Sequence, residues 1–288
     1  VLSTTWTPLA VSSEAREWSA PAWRMVEVQH LASTMKIVDD AAEQDLLEML
    51  LESSKPPQPA GVAGLDYLLA TPFRYNPHRS GSRFRSVTDP GVFYGAETVR
   101  TVCAELGYWR WKFLQDAVDL ERIEPVAHTA FKVSLATRVV DLRKPPFSAD
   151  LGAWQHPTDY SATQHFARVA REAGMGGIIY QSVRDPESGW CVAVLDPAAF
   201  SSPRPDPVKQ TWWLAVQQDA VIWRRDSERL EFAADAWQTA LKGKGKTDAP
   251  DPVGTGHQSA GNQEVAFHRL CGAGDESGAG VGAGAYAA

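Results

Sequence analysis

Residues 91–117 read GVFYGAETVRTVCAELGYWRWKFLQDA, and the pattern changes period partway along. Gly91–Ala96, bounded by Asp89-Pro90, has the composition of a short strand. From Thr98 to Ala117 the apolar residues recur at helical spacing, with Val102, Leu106, Trp109, Phe113 and Leu114 on one stripe. A strand handing over to an amphipathic helix sets the expectation of mixed structure, and the flanking segments extend it. Ala130–Leu142 alternates Phe131, Val133 and Leu135 with Lys132 and Ser134, the period of a strand. Ser161-Ala-Thr-Gln164 has the form of a capping box, opening a helix that closes at Gly174. Gly177–Val183 and Trp190–Leu195 flank the turn Asp185–Gly189 as a hairpin; Trp212–Val216 and Val221–Trp223 flank Gln217–Asp219 as another. Strands cluster late and helices intrude singly, so the expected class is α+β: a single domain with a central mixed or antiparallel sheet.

Further upstream, Asp40-Ala-Ala-Glu43 is a capping box before Leu46, Leu47, Leu50 and Leu51 at helical spacing, and SSKPPQPAG (Ser53–Gly61) ends that helix. Residues 1–35 scatter Trp6, Trp18 and Trp23 among polar residues and are set apart as an N-terminal extension; a packed arm and a partner surface both fit them. At the other end, 11 of the 22 glycines fall in residues 243–288, which carry no periodic apolar pattern. Such a segment buries too little apolar surface to offset its ordering entropy and reads as a disordered tail. The folded domain is therefore expected over residues 36–242.

The charge balance of 28 Lys+Arg against 35 Asp+Glu, net −7, argues against a chain that grips nucleic acid through its overall charge. No apolar run approaches the roughly 18 residues of a membrane span. Cys103, Cys191 and Cys271 lie far apart with no CxxC pair, which predicts neither a disulfide framework nor a zinc site and fits a reducing, cytoplasmic location. The seven histidines show no HExxH or HxH spacing, so no metal is expected. Gly243–Thr247 (GKGKT) follows a helical pattern and precedes Asp-Ala-Pro-Asp-Pro, the reverse of the strand-then-helix context a phosphate loop needs. Gly174–Ile179 (GMGGII) stops a helix before a strand, on the wrong side for a dinucleotide fingerprint, and no GxSxG elbow is present.

What remains is a crowd of Arg and Tyr beside one carboxylate. Arg74 and Tyr75 lie near Pro77, which disfavours a helix; Arg79, Arg83 and Arg85 follow in a Ser/Gly-rich loop. Tyr94 sits on the short strand, and Glu105 lies eleven residues later in the helix. Arginines gathered in one loop repel one another unless an anion or acidic partner sits among them, and guanidinium forks bind phosphates bidentately. A flat Tyr stacks on a heteroaromatic ring, and a carboxylate stabilises a positive centre developing in a transition state. These parts suit binding a dinucleotide diphosphate and breaking a glycosidic bond through an oxocarbenium ion. Against this stands the plainer reading: loop arginines are usually solvated, a helical Glu usually faces water, and a strand Tyr is usually half-buried packing.

The run PFRY (Pro72–Tyr75), SGSRFR (Ser80–Arg85), GVFYGAETVRTVCAE (Gly91–Glu105) and GGIIYQSVR (Gly176–Arg184) closely resembles the RES domain family, named for its Arg, Glu and Ser signature residues. The resemblance covers about residues 30 to 225, with Phe84 where many members carry Trp. It implies a fold related to ADP-ribosyltransferases and an NAD-consuming enzyme, by glycohydrolysis or, in some members, phosphorolysis, with NAD as substrate and no cofactor. It implies a toxin whose partner is a cognate Xre-type helix-turn-helix antitoxin that covers the site and binds DNA itself; a homodimer is left open.

By the same resemblance Arg83 and Arg74 hold the phosphates, Tyr94 and Tyr75 shape or stack on the nicotinamide site, and Glu105 bonds the ribose and offsets charge at C1′. Ser182 orients Glu105 or contacts the ribose, and Arg184, two residues on, shares its face if the strand continues. Two alternatives stay open: an ADP-ribosyltransferase acting on a protein or small-molecule acceptor, and a catalytically silent regulatory module that keeps the fold.

Overall fold

The protein is described by a computed structural model covering residues 5–28, 40–54, 56–75 and 81–242. The expected tail 243–288, together with Arg79, Pro77 and Cys271, lies outside the described residues. The elements run α1 (Pro8–Ser13), β1 (Arg16–Glu27), α2 (Ala41–Ser54), α3 (Tyr67–Arg74), β2 (Phe93–Ala96), α4 (Val99–Asp116) and β3 (Ile123–Asp141). Then come α5 (Leu151–Trp154), α6 (Ser161–Glu172), β4 (Gly177–Gln181), β5 (Trp190–Val194), β6 (Gln210–Val216), β7 (Ala220–Arg225), β8 (Glu228–Ala233) and α7 (Ala234–Lys242). The strands make one 8-stranded mixed sheet in the order β1-β2-β5-β4-β3-β6-β7-β8, so the α+β class is as expected.

Beyond that order, β1 also pairs β3 over twelve residues, from Arg16 opposite Val139 to Glu27 opposite His128. Five strands therefore form a closed circuit, β1–β2–β5–β4–β3, from which β6, β7 and β8 continue as an open sheet. The strand that closes the circuit comes from residues 1–35, the segment set apart as an extension, and packs as an arm of the sheet. Pro21 masks β1 in the sequence, because proline lacks the N–H of a ladder bond. It is tolerated because β1 is paired on its second edge only at Trp23, opposite Ala96.

The 19-residue β3 is the axis. Its first half pairs β6 through an irregularity between Ile123 and Val126, and its last residues pair β4 in parallel. Sequence alternation captured only its second half, because Pro125 and that irregularity break the period in the first. The two hairpins, β4–β5 and β6–β7, form antiparallel as read. β8, with only Leu230 and Phe232 to mark its apolar face, carries a signal too weak to read.

Alternation in β4 and β5 sends side chains to two cores. Ile178, Tyr180, Cys191 and Ala193 join α4 and α6 in one, whereas Ile179, Val192 and Val194 join α3 in the other. α4 buries Val102, Leu106 and Leu114 as its stripe predicts, but also Tyr108 and Trp111, while Trp109 and Phe113 are half-buried. At Gly107 an added Cβ would lie 2.9 Å from Val221 Cγ1, so the glycine lets α4 settle against β7. In α2, Asp40 caps the Glu43 N–H at 2.9 Å as expected, yet Leu46 and Leu50 remain more than half exposed. The capping box expected at α6 does not close. Asp159 accepts from the Ser161 N–H, and Gln164 instead donates to the Ser82 and Arg85 carbonyls at 2.9 and 3.2 Å. α6 still stops at Gly174, with φ of +72°.

His128 on β3 is fully buried, its Nδ1–H donating to the Val126 carbonyl at 3.0 Å and its ring edge-on to Trp223. Burial, with a smaller push from Arg110, lowers its pKa from 6.5 to about 4. Between those values the unfolded chain binds the extra proton and the folded one does not, so stability rises with pH across the window. We expect about 3 kcal/mol of stability to be lost as pH falls from 6.5 to 4. Urea titrations across that range check it: His128→Phe should flatten the slope, and an unchanged slope would refute the assignment.

Candidate active site

A cleft of about 110 Å³ opens where β1, β2, β5 and α4 meet. Arg24, Arg83 and Arg184 line it together with Glu105, Tyr94, Trp109, Tyr160, Tyr180 and Cys191. Three guanidiniums face one carboxylate, so the local field favours an anionic ligand even though the chain carries a net charge of −7.

Glu105 is half-buried in the second turn of α4, and its position is set by what docks on that helix. The turn between β4 and β5 lies on the first turn of α4: Thr101 Oγ1 donates to Asp185 Oδ2 at 2.8 Å. The approach is close enough that a Cβ on Gly189 would lie 2.3 Å from Thr101 Oγ1. This contact sets Ser182 opposite Glu105. The Ser182 hydroxyl donates to Glu105 Oε1 at 2.5 Å and accepts from the Arg184 and Asp185 N–H groups at 3.2 and 3.0 Å. With both acceptor directions taken, its proton can point only at the carboxylate.

Arg83, nine-tenths buried, donates through Nη1 to the Trp154 and His156 carbonyls, both at 2.9 Å, and lies over the Tyr160 ring at 4.6 Å. Arg184 is 2% exposed and lies 3.5 Å over Tyr108, with Nη2 donating to the Pro157 carbonyl. Its Nη1 is buried with no protein partner. A desolvated N–H of this kind is costly unless a ligand accepts from it. Tyr94 uses its hydroxyl to hold the Ser82–Arg85 turn, bonding Ser82 Oγ at 2.7 Å and accepting from the Phe84 N–H at 3.0 Å, while its ring walls the cleft. Burial pushes the Cys191 thiol well up, with the Glu105 carboxylate adding to it, so this cysteine is not an activated nucleophile.

Arg83, Tyr94, Glu105 and Arg184 thus line one cleft, with Ser182 behind Glu105. Arg74 and Tyr75 do not join them. Arg74 ends α3, contrary to the helix-free reading of that segment, and its Nε donates to the Pro56 carbonyl at 2.7 Å; Tyr75 is the C-cap of the same helix. Arg85 is also directed away from the cleft, its Nε bonding the Asp89 carbonyl. Of the arginine run, only Arg83 reaches the cleft among the described residues.

Arg184 arrives by another route than strand alternation. β4 ends at Gln181, and the turn beginning at Ser182 swings Arg184 inward. No local sequence pattern marks Arg24. It is 6% exposed, lies over the Phe93 ring at 4.8 Å and donates to the Tyr94 carbonyl at 2.9 Å. Reading β1 as a strand would have been needed to find it. Helical periodicity marks Trp109 only as packing, although it lies one helical turn beyond Glu105, on the same face, and lines the cleft.

Among the described residues, no group of three or more His, Cys, Asp or Glu is placed to hold a metal ion, and no helix is long and apolar enough to cross a membrane. The family model of the RES domain matches residues 58–217. No curated protein matches the chain. Among solved structures, the chain is similar to the crystal structure of the M. tuberculosis MbcT-MbcA toxin-antitoxin complex, at 14% identity and a TM-score of 0.37, covering 79% of this chain and 92% of that chain.

Proposed function

The chain belongs to the RES domain family, and from that membership and the cleft we propose that it cleaves the nicotinamide–ribose bond of NAD, acting as the toxin of a toxin–antitoxin pair. The observation that carries the reading is the Ser182–Glu105 bond at 2.5 Å inside an arginine-lined cleft. It supplies one oriented carboxylate surrounded by groups for anions and rings. Arg24, Arg83 and Arg184 hold the diphosphate; Tyr94 and Trp109 offer faces to the heteroaromatic rings.

As the C1′–N bond breaks, both electrons leave with nicotinamide, which departs neutral, and positive charge spreads over C1′ and the ribose ring oxygen. The Glu105 carboxylate is held to meet that charge, and Ser182 keeps it from rotating away. Water then adds at C1′ and gives up a proton, yielding ADP-ribose; inorganic phosphate in its place yields ADP-ribose 1″-phosphate. The partner proposed with this activity is an Xre-type antitoxin that covers the cleft, in a cytoplasmic setting.

The test is the full chain, free of any partner, incubated with NAD with and without inorganic phosphate, and its products weighed by mass spectrometry. Nicotinamide with ADP-ribose or its phosphate supports the reading. A modified acceptor points to a transferase instead. NAD bound without nicotinamide release points to a silent module and overturns it.

A further inference from the structure

Trp237 on α7 lies outside the family-matched residues 58–217, yet it reaches Arg184 by two routes, directly at the backbone and through the Tyr108 ring. Its indole N–H donates to the Arg184 carbonyl at 2.8 Å, fixing the backbone of the turn that follows β4. Its ring meets Tyr108 edge-on, with centroids 5.6 Å apart, and Tyr108 carries the Arg184 guanidinium 3.5 Å over its own ring. The three side chains make a column, Trp237–Tyr108–Arg184, in which each member is 3% exposed or less, Trp237 and Arg184 at 2% and Tyr108 at 0%. Trp111 at 5.7 Å and Phe232, stacked at 6.2 Å, brace the indole from the other sides. The column ends at Arg184, which lines the cleft and whose buried Nη1 has no protein partner.

We infer that Trp237 is a positioning residue: through the Arg184 carbonyl and the Tyr108 ring it holds the Arg184 guanidinium ready for a diphosphate, so that the C-terminal helix is part of the substrate site. A long side chain fixed before binding loses less rotamer freedom when the anion arrives, so the effect falls on affinity. The inference rests on the proposed NAD reaction for its substrate, but its anion-binding part stands apart from the chemistry.

The experiment uses the full chain and two substitutions, Trp237→Phe and Arg184→Ala, singly and together. Trp237→Phe keeps an aromatic ring and removes the N–H, a bond whose loss corresponds to about a fivefold change in affinity. The dissociation constant for inorganic pyrophosphate, measured by calorimetry, should rise by that factor, and KM for NAD should rise with it while kcat changes less than about twofold. In the Arg184→Ala background Trp237→Phe should add nothing, because its effect passes through Arg184. A merely structural tryptophan would give the same change in both backgrounds, or none in either; both results overturn the inference, as does a wild type that does not bind pyrophosphate. Pyrophosphate affinity that depends on Trp237 without any nicotinamide release would sink the proposed reaction and leave the inference standing. Should Trp237→Phe not fold, benzothienylalanine at 237, the tryptophan isostere with sulfur for N–H, removes the donor at full ring size.

Discussion

Replacing Glu105 with Gln lowers nicotinamide release from NAD by about a hundred- to a thousandfold, the range seen when one preorganised electrostatic group is removed from a transition state. The amide has the size of the carboxylate and keeps an oxygen that accepts from Ser182 Oγ–H, so the 2.5 Å contact survives in kind. What disappears is the negative charge facing C1′ as nicotinamide leaves. The loss therefore falls on kcat, with NAD affinity and the unfolding midpoint close to wild type. Single-turnover release and equilibrium NAD binding on the same preparation separate the two terms. A Glu105→Gln chain that releases nicotinamide at the wild-type rate would remove the carboxylate from the mechanism.

Replacing Trp154 with Ala costs about 3–5 kcal/mol of stability, the range for deleting a buried indole. Trp154 is 1% exposed, packs on Phe166 with centroids 5.1 Å apart, and donates its indole N–H to the Phe147 carbonyl at 2.7 Å. The substitution empties that volume and leaves the carbonyl without its donor. Against a total of about 5–15 kcal/mol this is a large share, and for a folded unit of this size it lowers the melting midpoint by roughly 10 °C. Any shift of the backbone at 154 reaches the site, because its carbonyl, kept in the variant, is one of the two acceptors that hold Arg83 Nη1. Urea midpoints at constant m-value measure the loss; a change below about 1 kcal/mol would mean the segment repacks and the indole is dispensable.

Much of the site was legible because its parts are local. Tyr94 and Glu105 are joined by one strand, one turn and the first turns of one helix, so their spacing along the chain already sets their separation in space. Ser182 is the first residue past a strand of four buried residues and a half-buried one, a place that sequence periodicity marks well. Arg83 sits in a tight turn closed by the Ser82–Arg85 bridge, a few residues before β2. The failures share a different cause. Arg74 and Arg83 are close in sequence, but a helix end lies between them and sends Arg74 toward Pro56. Arg24 and Glu105 are far apart in sequence and meet only because β1 closes the strand circuit. No local pattern reports a contact made by long-range pairing.

The residues themselves decided the α+β class, the two hairpins, the strand-to-helix unit that carries Glu105, and the family, since each of these is written in periods of two and 3.6 or in contiguous motifs. Tertiary structure decided which arginines share the cleft. Among the described arginines of the run, Arg74, Arg83 and Arg85, only Arg83 lines it, joined by Arg24 from β1 and Arg184 from the turn after β4. The reason is that a guanidinium stays buried only where carbonyls and ring faces meet its donors. For Arg83 those are the Trp154 and His156 carbonyls and the Tyr160 ring; for Arg184 they are Pro157 and Tyr108. Those acceptors come from distant parts of the chain and exist only once the sheet has closed.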